Sequence, residues 1–288
     1  MIIVTGATGQ LGNAIVHKLI AQSGAGSVRA ICRDPEKAAD LAKLGVNIRR
    51  ADFAEPDTLT KAFEGARQIL LVSSNARSYG GDPLTQHATV IRAAKHAGAT
   101  RIVYTSQIAS SATSAFSAAR DHAATEQMLA DSGLAWTALR NGFYAKSGIM
   151  IMSEAFKTGV LETTQDGKFS WVSHDDLASA AAVILGNEGR FEGPTPPLTG
   201  SEALDFGDMA HIAADVMGKP FIRTIITDDE MRANVAARGA PPSAANMVLG
   251  LFSAAHAGEF GTVDPLLEEL IGRPPQRMKQ LMMNYLAN

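Results

Sequence analysis

Short apolar, β-branched runs alternate with longer stretches of helical spacing through the first half of the chain. The runs fall at Ile2–Val4, Val28–Cys32, Val46–Arg49, Ile69–Val72, Arg101–Tyr104 and Ala135–Leu139. Between them, Leu11–Gln22, Pro35–Lys43, Asp57–Phe63, Pro83–Ala97 and Ala118–Ser132 repeat apolar residues at helical intervals. Apolar runs with little polar alternation are the mark of parallel strands covered on both faces. Right-handed crossovers then predict an α/β fold with a doubly wound parallel sheet. Boundary residues agree: Asp34-Pro35-Glu36 supplies an N-cap, a first-turn proline and an early carboxylate. Gly45, Gly98 and Gly133 each follow a helix, where a left-handed residue is needed.

Beyond about Asn141 the pattern weakens. Helices at Asp175–Leu185 and Phe206–Met217 and a strand at Phe221–Ile226 are readable. Gly193-Pro194-Thr195-Pro196-Pro197 and Ala240-Pro241-Pro242 read as breakers rather than linkers. The expected division is residues 1–140 for the sheet and 141–288 for a smaller, mostly helical region interleaved with it.

Composition narrows the chemistry. The 288 residues carry 26 Lys+Arg against 29 Asp+Glu, a formal charge of -3, which gives no basic excess to hold a nucleic acid. A single cysteine, Cys32, excludes an intramolecular disulfide and a thiolate metal cluster and fits a reducing compartment. The seven histidines form neither H-E-x-x-H nor a clustered ligand set, so no metal is expected. No apolar run reaches the roughly 18 residues of a membrane span. Met1–Gly6 passes from an apolar run straight into glycine without a basic leader, so the expected location is cytoplasmic.

Val4-Thr5-Gly6-Ala7-Thr8-Gly9-Gln10-Leu11-Gly12 is the most informative segment. It leaves the first strand and opens the first helix, the context a dinucleotide fingerprint demands. Gly6 serves the tight turn, Gly9 lets the backbone approach a pyrophosphate, and Gly12 lets the helix sit close to the sheet. Free N–H groups at the helix N-terminus then face the phosphates, aided by the helix dipole, and Ala7, Thr8, Gln10 and Leu11 join the three glycines as expected cofactor-binding residues. In this Rossmann arrangement 1–140 binds the cofactor and 141–288 covers the substrate.

With those glycines, the chain resembles the atypical short-chain dehydrogenase/reductases. Within them it is similar to the NmrA-like group that holds type 2 NADPH:quinone oxidoreductases and triphenylmethane reductases. The resemblance is carried by Thr5–Gly12, Cys32–Ala38, Ala51–Phe53, Tyr104–Ser106, Thr125–Leu129, Leu139–Tyr144 and Leu270–Pro274. These segments span most of the chain, and Leu139-Arg140-Asn141-Gly142-Phe143-Tyr144 is far more selective than the glycine loop.

The cofactor choice is set at the end of the second strand, where a carboxylate suits a ribose hydroxyl and an arginine a 2′-phosphate. Arg33, with Lys37 a turn later, makes a reasonable phosphate pocket. Asp34 is the competing ribose acceptor, but its place before Pro35 is fully explained by capping. NADPH (NADP+) is therefore expected, as the resemblance also implies. By family position Asp52 and Phe53 flank the adenine. Ser73, Ser74 and Asn75 close the fourth strand, and Thr105 and Ser106 the fifth, at the ends where ligands sit; ordinary loop polarity is an even alternative for any one serine.

The resemblance also implies a missing relay. Aligned on Glu126, His122 stands at the position of the usual lysine and Ala118 at that of the proton-donating tyrosine. An alkoxide needs a proton donor; a hydroquinone anion or a neutral dye product does not. The expected activity is thus NADPH-dependent hydride transfer to a quinone or quinone-like or dye acceptor. Asn141, Gly142, Phe143 and Tyr144 are expected around the nicotinamide, with Asn141, Tyr144 and His122 as catalytic candidates. Phe143 taken alone suits core packing better, and Asn141-Gly142 also reads as a turn. His122 either contacts the ribose, donates a proton, or is a half-exposed helix residue. Lys146 reads as a solvated loop lysine and Glu126 as structural. The alternative function is a non-catalytic NADP(H)-sensing regulator acting through protein partners; the chain is expected to be a monomer or homodimer.

Overall fold

The structure, a computed structural model, describes residues 1–287 and resolves two compact units. Met1–Ser106, Asp121–Arg140 and His174–Pro196 form the first; Gln107–Arg120, Asn141–Ser173 and Pro197 onward form the second. The chain passes to the second unit at Gln107–Arg120 and again after Arg140, and His174–Pro196 returns to the first.

In chain order the first unit contains β1 (Ile2–Val4), α1 (Gln10–Ser23), β2 (Val28–Cys32), α2 (Ala39–Lys43), β3 (Asn47–Arg50), α3 (Pro56–Ala62), β4 (Gln68–Leu71), α4 (Pro83–His96), β5 (Arg101–Gln107), most of α5 (Ser117–Ala130) and β6 (Ala135–Asn141). Later in the chain α8 (His174–Gly186) and β10 (Gly193–Pro194) complete it. The strands make a mostly parallel seven-stranded sheet in the order β10-β6-β5-β4-β1-β2-β3. Ile3 of β1 stands opposite Arg29 of β2 on one side and Ile69 of β4 on the other. The chain thus runs outward through β2 and β3, then restarts at β4 on the far side of β1. The carboxyl ends of β1 and β4 frame the switch point where open α/β sheets bind ligands.

The strand patterns follow from coverage. All four residues of β4 are buried, because helices lie on both of its faces, whereas the edge strand β3 exposes Asn47, Arg49 and Arg50. Ile3, Ile31, Ile69, Leu71 and Ile102 meet Leu59, Phe63, Val90 and Leu129 in one core cluster. Gly45, Gly98 and Gly133 take φ of 83°, 76° and 77°, as their helix-ending positions require. Gly193-Pro194, expected as a breaker, is instead a short strand pairing in parallel with Thr137 and Ala138 of β6. It lies at the sheet edge, where a proline without an N–H leaves no ladder bond unmade. α8 packs on α1, with Lys18 Nζ 2.7 Å from Asp175, and a Cβ on Gly186 would lie 2.0 Å from the Gln22 amide nitrogen.

The second unit contains β7 (Phe143–Tyr144), α6 (Ala145–Ile151), α7 (Ala155–Thr158), β8 (Val160–Thr163), β9 (Phe169–Val172), β11 (Ala203–Leu204), α9 (Phe206–Met217), β12 (Ile222–Ile225), α10 (Asp228–Ala237), α11 (Pro242–His256), α12 (Leu266–Ile271) and α13 (Met278–Leu286). It holds more strand than expected: β9 pairs antiparallel with β11 and in parallel with β7, and β8 pairs with β12. Segments of two to four residues are too short to display a period of two. Phe169 and Trp171, on one face of β9, stack at 4.7 Å and join Phe143, Phe206 and Phe260 in an aromatic core. Capping boxes start α9 (Asp205, Asp208) and α10 (Thr227, Glu230). Among the described residues no helix is long and apolar enough to cross a membrane.

Candidate cofactor site

The loop between β1 and α1 is shaped by two close backbone approaches. Gly6 has φ +60°, and the Gly9 N–H donates to its carbonyl at 2.9 Å. A Cβ on Gly12 would lie 2.3 Å from that same Gly6 oxygen. The third glycine therefore seats the helix against its own loop, rather than against the sheet as expected. Buried Ala7 donates its N–H to Ile31 O at 3.1 Å, and buried Leu11 anchors the first helical turn. Gly6, Thr8, Gly9 and Gln10 stay exposed. The N-cap, Gly9, offers no side chain to the first-turn donors, and no carboxylate lies in that turn. A helix N-terminus left open in this way attracts a phosphate.

Gly6, Thr8 and Gly9 line a cleft whose further walls are Arg33, then Asp52 and Phe53, then Ser73, Ser74 and Asn75. The sequence-derived residues from four strand ends thus come together. Asp34 accepts the Glu36 N–H at 3.1 Å, as a cap should, and its other oxygen lies 3.6 Å from the Lys37 ammonium. Exposed Arg33 lines the cleft, whereas Lys37 does not. Asp52 caps its own turn by accepting the Ala54 N–H at 3.0 Å. A negatively charged dinucleotide fits this set: an open helix end for the pyrophosphate and a guanidinium for a further phosphate.

Thr105 and Ser106 are buried and act on neighbours instead of lining the cleft. Thr105 Oγ1 accepts the Ser73 N–H at 2.8 Å. Ser106 donates to Glu126 at 2.6 Å, and Arg140 clasps both oxygens of that carboxylate at 3.2 and 2.7 Å. Glu126 is structural, as expected.

His87 escaped the sequence reading. The Ser74 N–H donates to His87 Nε2 at 2.8 Å, which places the imidazole proton on Nδ1, 2.9 Å from Thr125 Oγ1. Thr125 passes its hydroxyl hydrogen to Asp121 O at 2.8 Å. Burial, with the neighbouring His122 adding to it, pulls the His87 pKa down to about 3. A neutral imidazole thus holds one wall of the cleft. Its signal was present, because Pro83, His87, Val90, Ile91 and Ala94 share the buried face of α4.

His122 is half-buried, with Nδ1 2.7 Å from the hydroxyl of fully buried Tyr104, and burial lowers its pKa to about 4. Asn141 ends β6 and is buried, and its carbonyl accepts the Ile108 N–H at 2.9 Å. Its side chain hydrogen-bonds Tyr144, whose hydroxyl burial pushes up to about 12. Asn141-Gly142 is not a turn: Gly142 donates to Leu198 O at 2.8 Å, and a Cβ there would lie 2.5 Å from Ser170 O. Phe143 packs 4.5 Å from Phe260 and 5.2 Å from Phe169, which gives it a core role. Lys146 is exposed on the first turn of α6 rather than in a loop. The second unit also holds an apolar cavity of about 750 Å³ lined by Met150, Ile151, Leu161, Met231, Val235 and Phe252.

Comparison with known proteins gives the same outline. Residues 6–188 match the family model described as NAD(P)H-binding. Quinone oxidoreductase 2 of Escherichia coli is 35% identical over 275 residues, 95% of this chain and 94% of that protein. The crystal structure of the E. coli NADPH-dependent quinone oxidoreductase complexed with NADPH superposes with a TM-score of 0.92 at 34% identity, covering 100% of both chains. An NmrA-like family domain-containing oxidoreductase of Aspergillus flavus is 30% identical over 95% of this chain and 91% of its own. The Citrobacter triphenylmethane reductase complexed with NADP(H) has a TM-score of 0.89 at 30% identity, covering 99% of both chains.

Proposed function

The chain belongs to the NAD(P)H-binding, NmrA-like family, and from that premise we propose that it is an NADPH-dependent reductase of quinones or of quinone-like or dye acceptors. The observation that carries the reading is the open N-terminus of α1 above a loop that only glycine at position 12 permits. Relatives named for quinone and triphenylmethane reduction support the choice of acceptor.

The reduced nicotinamide, when bound, supplies the hydride. The chain's own residues bind and orient. The Gly6–Gly12 loop holds the pyrophosphate and Arg33 pairs with the 2′-phosphate. Asp52 and Phe53 take the adenine, and Ser73–Asn75 form the wall that His87 fixes. Residues from Asn141 onward supply the acceptor side: Asn141 orients a carboxamide or acceptor oxygen, and Tyr144 is held by it.

Proton supply supports the same acceptors. His122 and Tyr144, with pKa values of about 4 and about 12, are both neutral near pH 7. A neutral imidazole can hold an oxygen by hydrogen bonding but is a poor proton donor to an alkoxide. Of the roles open to His122, positioning is therefore favoured over acid catalysis. Ala118, at the position where the family's tyrosine donor is expected, has no proton to give. Hydride addition to a quinone leaves a hydroquinone anion that water protonates, and addition to a dye cation leaves a neutral product. Positioning then supplies most of the acceleration.

The test is to mix pure protein with NADPH and follow nicotinamide absorbance as quinones, triarylmethyl dyes and simple ketones are offered. NADPH consumption with the first two classes and not with ketones is expected. Cofactor binding without turnover of any acceptor would overturn the catalytic reading.

A further inference from the structure

We propose that Tyr79 is an adenine clamp, its ring closing one face of the base while Phe53 closes the other. The proposal rests on the reading of the cleft as an NADPH site and adds a residue to it. Tyr79 is 56% exposed, yet it lines the same cleft as Asp52 and Phe53. The two rings arrive from different loops, after β3 and after β4, and Phe53 is itself only half-buried. Two partly exposed aromatic rings on one cleft suit a flat, apolar-faced ligand.

Tyr79 is presented on a fixed support. It ends a short turn, Ala76–Tyr79, in which the Ser78 N–H and hydroxyl both donate to Asn75 O, at 3.0 and 2.7 Å. Arg77 binds both oxygens of Asp121 at 2.7 and 2.6 Å, and Gly80, at φ +82°, turns the chain back so that the Gly81 N–H reaches Ala76 O at 2.9 Å. With the backbone of the turn fixed in this way, only the side-chain torsions of Tyr79 remain to be ordered when a base stacks on the ring, so more of the stacking appears as affinity. The polar rim also matches a purine. Asp52 has a second carboxylate oxygen beyond the one that caps Ala54, suited to an exocyclic amino group. Gln86, also in the cleft wall, has its carbonyl taken by the Ser74 hydroxyl at 2.5 Å, which turns its amide N–H groups to the role of donors for ring nitrogens.

The test is calorimetric titration of adenosine 2′,5′-bisphosphate and of NADPH into wild type, Tyr79→Ala, Tyr79→Leu and Tyr79→Phe, with circular dichroism as the fold check. Base–aromatic stacking is worth about fivefold to a hundredfold in affinity. Tyr79→Ala and Tyr79→Leu are expected to weaken both ligands by one common factor in that range, and Tyr79→Phe to bind like wild type. Unchanged affinity in Tyr79→Ala, loss for NADPH without loss for the bisphosphate, or a Tyr79→Phe variant as weak as Tyr79→Ala would each overturn the clamp. Failure of the wild type to bind either ligand would overturn the cofactor reading itself, before any variant is made.

Discussion

Protonation of His87 should unfold the wall of the cleft from inside. Its Nε2 accepts the Ser74 N–H, so an imidazolium there would set two donors against each other as well as bury a charge. The native pKa is about 3, while the unfolded chain titrates near the ordinary value of about 6.5. Between those limits the unfolded state takes up a proton that the native state refuses, so stability rises with pH and falls on acidification. The stabilisation is fully present above about pH 6.5 and is lost progressively toward about pH 3, at about 1.4 kcal/mol per pH unit. The whole window is worth about 5 kcal/mol, and lowering the pH from neutral to about 5 removes about 2 kcal/mol of it. His122 works in the same direction but interacts with His87, so their effects do not add. Urea unfolding of wild type and His87→Gln at a series of pH values between about 7.5 and 4.5 isolates the share of His87. The glutamine keeps an acceptor and a donor without titrating, so its stability should fall less steeply with acid. Parallel curves for the two proteins would refute the argument.

Three further outcomes follow from the site. Gly12→Ala brings a methyl group to within 2.3 Å of Gly6 O, so the helix must retreat and NADPH affinity should fall by at least about tenfold in a calorimetric titration. Arg33→Ala should weaken NADPH but spare NADH, because only the former carries the extra phosphate; about 1.5–3 kcal/mol of charge-assisted hydrogen bonding is at stake, read as the ratio of the two dissociation constants. Asn141→Ala should lower quinone turnover more than NADPH affinity, and steady-state kinetics with unchanged kcat would remove the residue from the reaction.

Much of the first unit was legible because its signals are local. Parallel strands buried on both faces must be continuous apolar runs, and a loop that passes under a helix must be glycine, so β1, β2 and the positions Gly6, Gly9 and Gly12 could be read directly. Asp34 was legible for the same reason, since a cap and its proline are neighbours in sequence. His87 was half legible: its place on the buried face of α4 followed from periodicity, but not its partner Ser74, thirteen residues earlier. Tyr79 had no signal at all, because a single aromatic residue on a turn acquires meaning only from the walls opposite it.

The amino-acid order by itself determined the doubly wound sheet, the glycine loop that opens the first helix and the place of Arg33 at the end of the second strand, since each depends on residues within a turn or two of one another. Tertiary structure decided the rest. It made an edge strand of Gly193-Pro194, gave Phe143 to an aromatic core, and set a neutral histidine behind Ser74. Those outcomes depend on which distant segments meet, and burial and hydrogen-bond satisfaction assign a role only after the chain has closed around them.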